Sequence, residues 1–144
     1  MTKQIWVFPE INPGEEIDKF SLGLLSEAKS VAEKISGRVT ALLFGESVAD
    51  CPPTLAQYGV SSCYFFQDPL LKTFSVEAFA SAILPKLREE TPWLFIMGDT
   101  PIGRELAPRL AALLDTDVVT RYTRIDLSTP DKPRFYRQVF AGPR

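Results

Sequence analysis

Short apolar runs alternate with longer stretches of helical periodicity along most of this chain, and that alternation constrains its fold more than any other feature. Residues 5–8, 39–44, 62–66 and 93–97 have the length and the β-branched and aromatic content of strands. Val39-Thr40-Ala41-Leu42-Leu43-Phe44 is almost unbroken in apolar character, which suits a strand covered on both faces in a parallel sheet. Between the first two runs, Ile17, Phe20, Leu24, Leu25, Ala28, Val31, Ala32 and Ile35 recur at helical spacing and predict one buried stripe. Glu15 and Glu16 suit the start of that helix, where the macrodipole favours anions, and Gly37 suits a left-handed cap at its end.

A short helix is expected over residues 53–58, with Pro in its first turn and Gly59 as its stop. Ser75 reads as the N-cap of a second long helix whose apolar face is Val76, Phe79, Ala80, Ile83, Leu84 and Leu87. Pro85 removes a backbone hydrogen bond inside this pattern and predicts a kink or an early end. After the fourth run, Thr100 and Pro101 fit an N-cap and a first helical position, and Ile102, Leu106, Leu110 and Leu113 follow as a buried stripe.

Beyond residue 117 the period falls to two. Val118, Thr120 and Tyr122 alternate with Val119, Arg121 and Thr123, and residues 134–140 alternate again after a turn-rich connection. The two segments predict an antiparallel hairpin. Four strand–helix units and a hairpin, with no repeat or internal linker, predict a single α/β domain over residues 1–144. Its architecture is a three-layer sandwich with a mainly parallel, Rossmann-like sheet.

Several functions are excluded early. The 144 residues contain no histidine, so this chain supplies no His-based triad, imidazole base or His metal ligand. A net charge of −2 gives no polyelectrolyte reason to bind nucleic acid or an anionic membrane. No apolar run approaches the roughly 20 residues of a membrane span, and residues 1–10 lack the pattern of a signal peptide, so cytoplasm is the expected location. Cys51 and Cys63 are too far apart for a CxxC pair, and Cys63, in an apolar run, is expected to be a buried thiol.

In an open parallel sheet, ligands gather at the carboxyl ends of the strands. The loop over residues 9–14 has one glycine and no GxGxxG or P-loop pattern, which makes it a poor phosphate cradle. Gly98, Thr100, Gly103 and Arg104 follow the fourth strand and are the candidate anion or cofactor contacts, since backbone N–H groups at a helix start can hold an anion. The preferred reading is plainer. Thr100 caps, Gly103 allows close helix–sheet packing, and Arg104 pairs with Glu105 or with a carboxylate of another domain. Asp99, Asp115 and Asp117 have no histidine or close carboxylate partner that would make them catalytic. Arg121, Tyr122, Arg124 and Arg137 fall on the hairpin. They form either a charge-protected, solvated edge or a polar docking surface rich in interface-prone residues.

Residues 98–113, Gly-Asp-Thr-Pro-Ile-Gly-Arg-Glu-Leu-Ala-Pro-Arg-Leu-Ala-Ala-Leu, resemble the G-x-T-x-x-G-R-x-L-A-P-R-L-A-A segment of electron transfer flavoprotein alpha subunits, including the FixB-like proteins. Gln4-Ile5-Trp6-Val7-Phe8, residues 25–45, Tyr58-Gly59-Val60, Asp68-Pro69-Leu70-Leu71 and Arg137-Gln138-Val139-Phe140-Ala141-Gly142 are similar to the same family in the same order. The resemblance implies an adenine nucleotide alpha hydrolase-like fold in the amino-terminal domain of a subunit whose FAD-binding carboxyl-terminal domain is absent here. It also implies a beta-subunit partner, and passage of electrons from flavin dehydrogenases to a quinone reductase or other acceptor. No catalytic residue, metal or cofactor is expected in these 144 residues. Where many relatives carry Asp in a T-D-x-T segment, this chain reads Thr120-Arg121-Tyr122-Thr123, which alters any contact made through that Asp. The alternative reading is a stand-alone module binding AMP or ATP, as many small α/β domains of this outline do.

Overall fold

The computed structural model of the chain describes residues 2–11, 17–45, 52–115, 122–126 and 134–137. In chain order the elements are β1 (Gln4–Phe8), α1 (Lys19–Ile35), β2 (Arg38–Gly45), α2 (Pro53–Gln57), β3 (Val60–Gln67), a 3-10 turn (Pro69–Leu71), α3 (Val76–Glu90), β4 (Leu94–Met97), α4 (Pro101–Leu114), β5 (Tyr122–Asp126) and β6 (Arg134–Arg137). The first four strands form one sheet in the order β3-β2-β1-β4, parallel throughout. β5 and β6 pair antiparallel as a separate two-stranded ribbon.

The sheet carries two apolar layers, because side chains alternate across a strand. Ile5, Val7, Val39, Ala41, Leu43 and Ile96 face one layer, where Leu25, Ala28, Val31 and Ala32 of α1 and Leu55 of α2 close over them. Trp6, Phe8 and Leu42 face the other, beneath Phe79, Ile83 and Leu87 of α3 and Leu106 and Leu110 of α4. β1 and β2 are buried on both faces, as the unbroken run in β2 requires. This is the expected three-layer α/β sandwich.

The second layer is aromatic. Phe44 stacks on Phe66 and on Phe79 at centroid separations of 4.7 and 4.6 Å, and Trp6 meets Tyr64 and Phe95 edge-on. Such pairs add to area burial because ring edges and faces carry opposite partial charge.

Several local expectations shift. The N-cap of α1 is Asp18, whose carboxylate accepts from the Ser21 N–H at 2.8 Å, so the helix starts after Glu15 and Glu16, which lie outside the described residues. Ser36 takes the left-handed cap position in place of Gly37. Pro85 does not end α3, which runs its full fifteen residues from the Ser75 cap. The hairpin forms between Tyr122–Asp126 and Arg134–Arg137, and Val118 to Arg121 lie outside the described residues. Cys63 is half-buried against the first apolar layer and is disulfide-bonded, which corrects the expectation of a buried thiol. The chain's other cysteine, Cys51, lies outside the described residues.

Candidate functional site at the carboxyl end of the sheet

The strand order reverses at the boundary between β1 and β4. β2 and β3 extend the sheet on one side of β1, while the chain crosses over to place β4 on the other. Loops leaving adjacent strands in opposite directions open a crevice there, which is where open α/β sheets bind ligands. Among the described residues, the walls of that crevice include Glu10, just after β1, and Gly98 to Arg104, leading from β4 into α4.

The crevice is bridged by the chain itself. Thr100 caps α4, its Oγ1 accepting from the Gly103 N–H at 3.0 Å. The same hydroxyl donates to Oε2 of Glu10 at 2.5 Å. A carboxylate of the protein thus stands beside the start of α4, at the end of the helix that favours an anion. Pro101 at the first helical position has no N–H to offer. The Arg104 guanidinium is turned to Asp99, with Nε 2.7 Å from Oδ1, and that carboxylate holds it charged. This replaces the expected pairing with Glu105.

The two glycines are packing positions. A Cβ on Gly103 would collide with the backbone carbonyl oxygen of Gly98, and one on Gly98 would come within 2.5 Å of the Phe20 ring. The first turn of α4 therefore lies directly on the end of β4, and Phe20, half exposed at the start of α1, covers the loop. Among the described residues this site does not fit the phosphates of a flavin or adenine nucleotide. The Glu10 carboxylate stands beside the cap on the Thr100 hydroxyl, Pro101 has no N–H, the Gly103 N–H is used by the cap, and Arg104 is paired with Asp99.

The structure brings all four carboxyl-end candidates, Gly98, Thr100, Gly103 and Arg104, into one turn. Glu10, which completes the cluster, carries no signal in its sequence context, since no local pattern relates residues 90 positions apart. The four hairpin candidates divide differently. In the ribbon, Tyr122 stands opposite Arg137 and Arg124 opposite Tyr136, with a register shift between Tyr122 and Arg124. Arg121 lies outside the described residues.

Away from the crevice, no cluster of three or more potential metal-ligating residues occurs among the described residues, and no described helix is long and apolar enough to cross a membrane. A polar group sits at the opposite end of the sheet. There the Tyr64 hydroxyl donates to Glu90 at 2.6 Å while Lys86 lies 4.7 Å over its ring. Burial first, and then that carboxylate, push the phenol up to about 12.

The family model of the electron transfer flavoprotein domain matches residues 5–143. An electron transfer flavoprotein subunit alpha of Clostridium acetobutylicum is 34% identical over 141 residues, covering 97% of this chain and 42% of that protein. A protein FixB of Clostridium saccharobutylicum is 36% identical over 125 residues, 87% of this chain and 37% of the relative. An acryloyl-CoA reductase electron transfer subunit beta of Anaerotignum propionicum is 31% identical over 125 residues, 87% of this chain and 34% of the relative. The chain therefore spans about two fifths of the length of the curated relatives it matches.

Proposed function

The chain belongs to the electron transfer flavoprotein family, and from that premise we propose that it is the amino-terminal, partner-docking domain of an alpha-type subunit. In this reading it is a component of an electron carrier and performs no catalysis of its own. FAD is held by the portion of the alpha-type relatives that these residues do not span. The assembled protein is a heterodimer with a beta subunit, taking electrons from flavin dehydrogenases and passing them to a quinone reductase or another acceptor.

One observation carries the reading. Among the described residues, the crevice where a sheet of this topology would hold a nucleotide is bridged by the Glu10–Thr100 hydrogen bond, with the Gly103 N–H used by the cap and Arg104 paired with Asp99. A domain with its ligand crevice closed by its own side chains offers surfaces instead. The hairpin, with Tyr122 opposite Arg137 and Arg124 opposite Tyr136, has the residue types enriched where proteins meet.

The test is association. Mixed with its cognate beta subunit, the chain is expected to elute from gel filtration as one species of summed mass, and Arg124→Glu is expected to weaken it. Separate elution of the two at every concentration tried would remove the docking role.

A further inference from the structure

A hollow lies at the end of the sheet opposite the crevice. Its volume is about 300 Å³, at the small end of the roughly 300–1,000 Å³ span of ligand pockets. Gln4 opens β1 and Arg38 opens β2, and the two stand side by side in register. Thr40 and Ser62 form a further pair across β2 and β3. Side chains two apart on a strand share a face, so Gln4, Arg38, Thr40, Ser62 and Tyr64 lie on the face that carries Trp6 and Leu42. That face is apolar beneath α3 and turns polar at the strand starts, where Glu90, the last residue of α3, joins the lining.

The lining holds two opposite charges that do not pair with each other. Among the described residues the Arg38 guanidinium has no hydrogen bond or ion pair. Glu90 receives the Tyr64 hydroxyl on Oε1 at 2.6 Å, and Lys86 stands 4.0 Å from the same atom. Its Oε2 has no such partner among the described residues. The carboxyl end of α3 adds partial negative charge beside that oxygen. Hydroxyls complete the hollow. Thr40 is 2% exposed, and its Oγ1 lies 2.9 Å from the Ser62 Oγ. A bond between two hydroxyls uses one donor and one acceptor, which leaves one O–H and further lone pairs for a ligand. Ser61 adds another hydroxyl, and Gln4 an amide.

We propose that this hollow is a binding site for a small zwitterion, a free amino acid with a short polar side chain. The ligand's carboxylate pairs with Arg38 and its ammonium with Oε2 of Glu90, while the hydroxyls of Thr40, Ser61 and Ser62 take its side chain. A simple anion would meet the carboxylate and the end of α3, and a simple cation would meet the guanidinium. Only a molecule carrying both charges satisfies both walls. The volume sets the size, since a nucleotide would not fit it. The site is separate from the hairpin and from the Glu10–Thr100 crevice, and it does not depend on the docking role.

The experiment titrates the intact chain with L-serine through the millimolar range, following amide chemical shifts by NMR. Glycerate, which lacks the ammonium, and ethanolamine, which lacks the carboxylate, are titrated alongside. Saturable shifts with serine are expected at residues 4, 38–40, 61–64 and 90, with both controls binding at least about tenfold more weakly. Arg38→Gln and Glu90→Gln keep the side-chain length and remove one charge each. Either is expected to weaken serine binding by about tenfold or more, with circular dichroism and Tm checking the fold. Absence of saturable shifts with serine would overturn the proposal. So would glycerate or ethanolamine binding as tightly as serine, shifts confined to another part of the chain, or serine affinity unchanged in both folded variants.

Discussion

The hydroxyl of Thr100 and the carboxylate of Glu10 meet at 2.5 Å across the boundary where the strand order of the sheet reverses. Thr100 is also the N-cap of α4, so a single side chain joins the end of β1 to the start of the last long helix. Thr100→Ala removes the cap and the tie together. Loss of an N-cap costs about 1 kcal/mol, and leaving Glu10 without its donor adds to that, so a total near 1–2 kcal/mol is expected. Urea denaturation at unchanged m measures it. A variant as stable as wild type would show that the two loops are not held together in this way.

Glycine to alanine is expected to act in opposite directions at two helical positions. A Cβ on Gly23 meets nothing within 4 Å, so Gly23→Ala in α1 should stabilise by about 0.5–1 kcal/mol through reduced backbone entropy of the unfolded chain. A Cβ on Gly103 meets the Gly98 carbonyl, which is backbone and cannot swing aside. Gly103→Ala should therefore destabilise by roughly 2–4 kcal/mol, the range of an overpacked site that forces a backbone shift. Two thermal melts against wild type decide the matter. The same sign for both substitutions would contradict the close contact between α4 and β4.

Stability should fall at high pH through Tyr64. Its phenol is pushed up to about 12 from an ordinary value of 10.0, first by burial and then by the Glu90 carboxylate that accepts its hydrogen bond. The folded state then holds the proton more tightly than the unfolded state does. The contribution is present in full below pH 10.0 and is lost as pH rises from there toward about 12. Tyr64→Phe should remove this dependence, read as a wild-type minus variant difference in unfolding midpoint that shrinks across that window. A difference that stays flat would mean that the Tyr64–Glu90 bond is not formed.

Asp18 works at the other end of the pH scale. Hydrogen bonds from the Ser21 backbone and then its side chain hold the carboxyl below its ordinary value of 3.8. A depressed folded value gives stability that is present above the unfolded value and lost as pH falls through the folded one. Asp18→Asn keeps a capping side chain but cannot titrate. The wild-type advantage over it should therefore decline on acidification below the ordinary carboxylate range. An advantage that grows there would reverse the assigned cause.

Adenine nucleotides should leave the chain's melting unchanged, because the start of α4 is capped by Thr100, which also donates to the Glu10 carboxylate beside it. A true site would stabilise by about 1.4 kcal/mol with ligand at ten times Kd. Thermal shift with AMP, ATP and FAD at millimolar concentration is the check, and a reproducible rise with any of them would revive the nucleotide-binding alternative.

The layered fold was legible because its signals are local. Strand runs such as residues 39–44, the stripe from Leu25 to Ala32, and the Thr100-Pro101 start of α4 each follow from neighbours within a few positions. Pro85 does not end α3, because the packing of Phe79, Ile83 and Leu87 on the helix outweighs one missing hydrogen bond. What the sequence concealed was relational. That Glu10 reaches Thr100, that Arg104 chooses Asp99 over Glu105, and that Cys63 is disulfide-bonded all depend on which chain ends the topology brings together. The capping by Thr100 and the close packing at Gly103 were readable from the Thr100-Pro101 pair and the glycine two residues on. The meeting of Glu10 with Thr100 was not.

The most direct measurement is the visible absorbance of the purified chain after incubation with FAD and desalting, alone and mixed with its cognate beta subunit. A colourless chain that enters a complex with the beta subunit is the result expected of a docking domain whose ligand crevice is closed by Glu10 and Thr100. A yellow protein from these 144 residues alone would contradict the account.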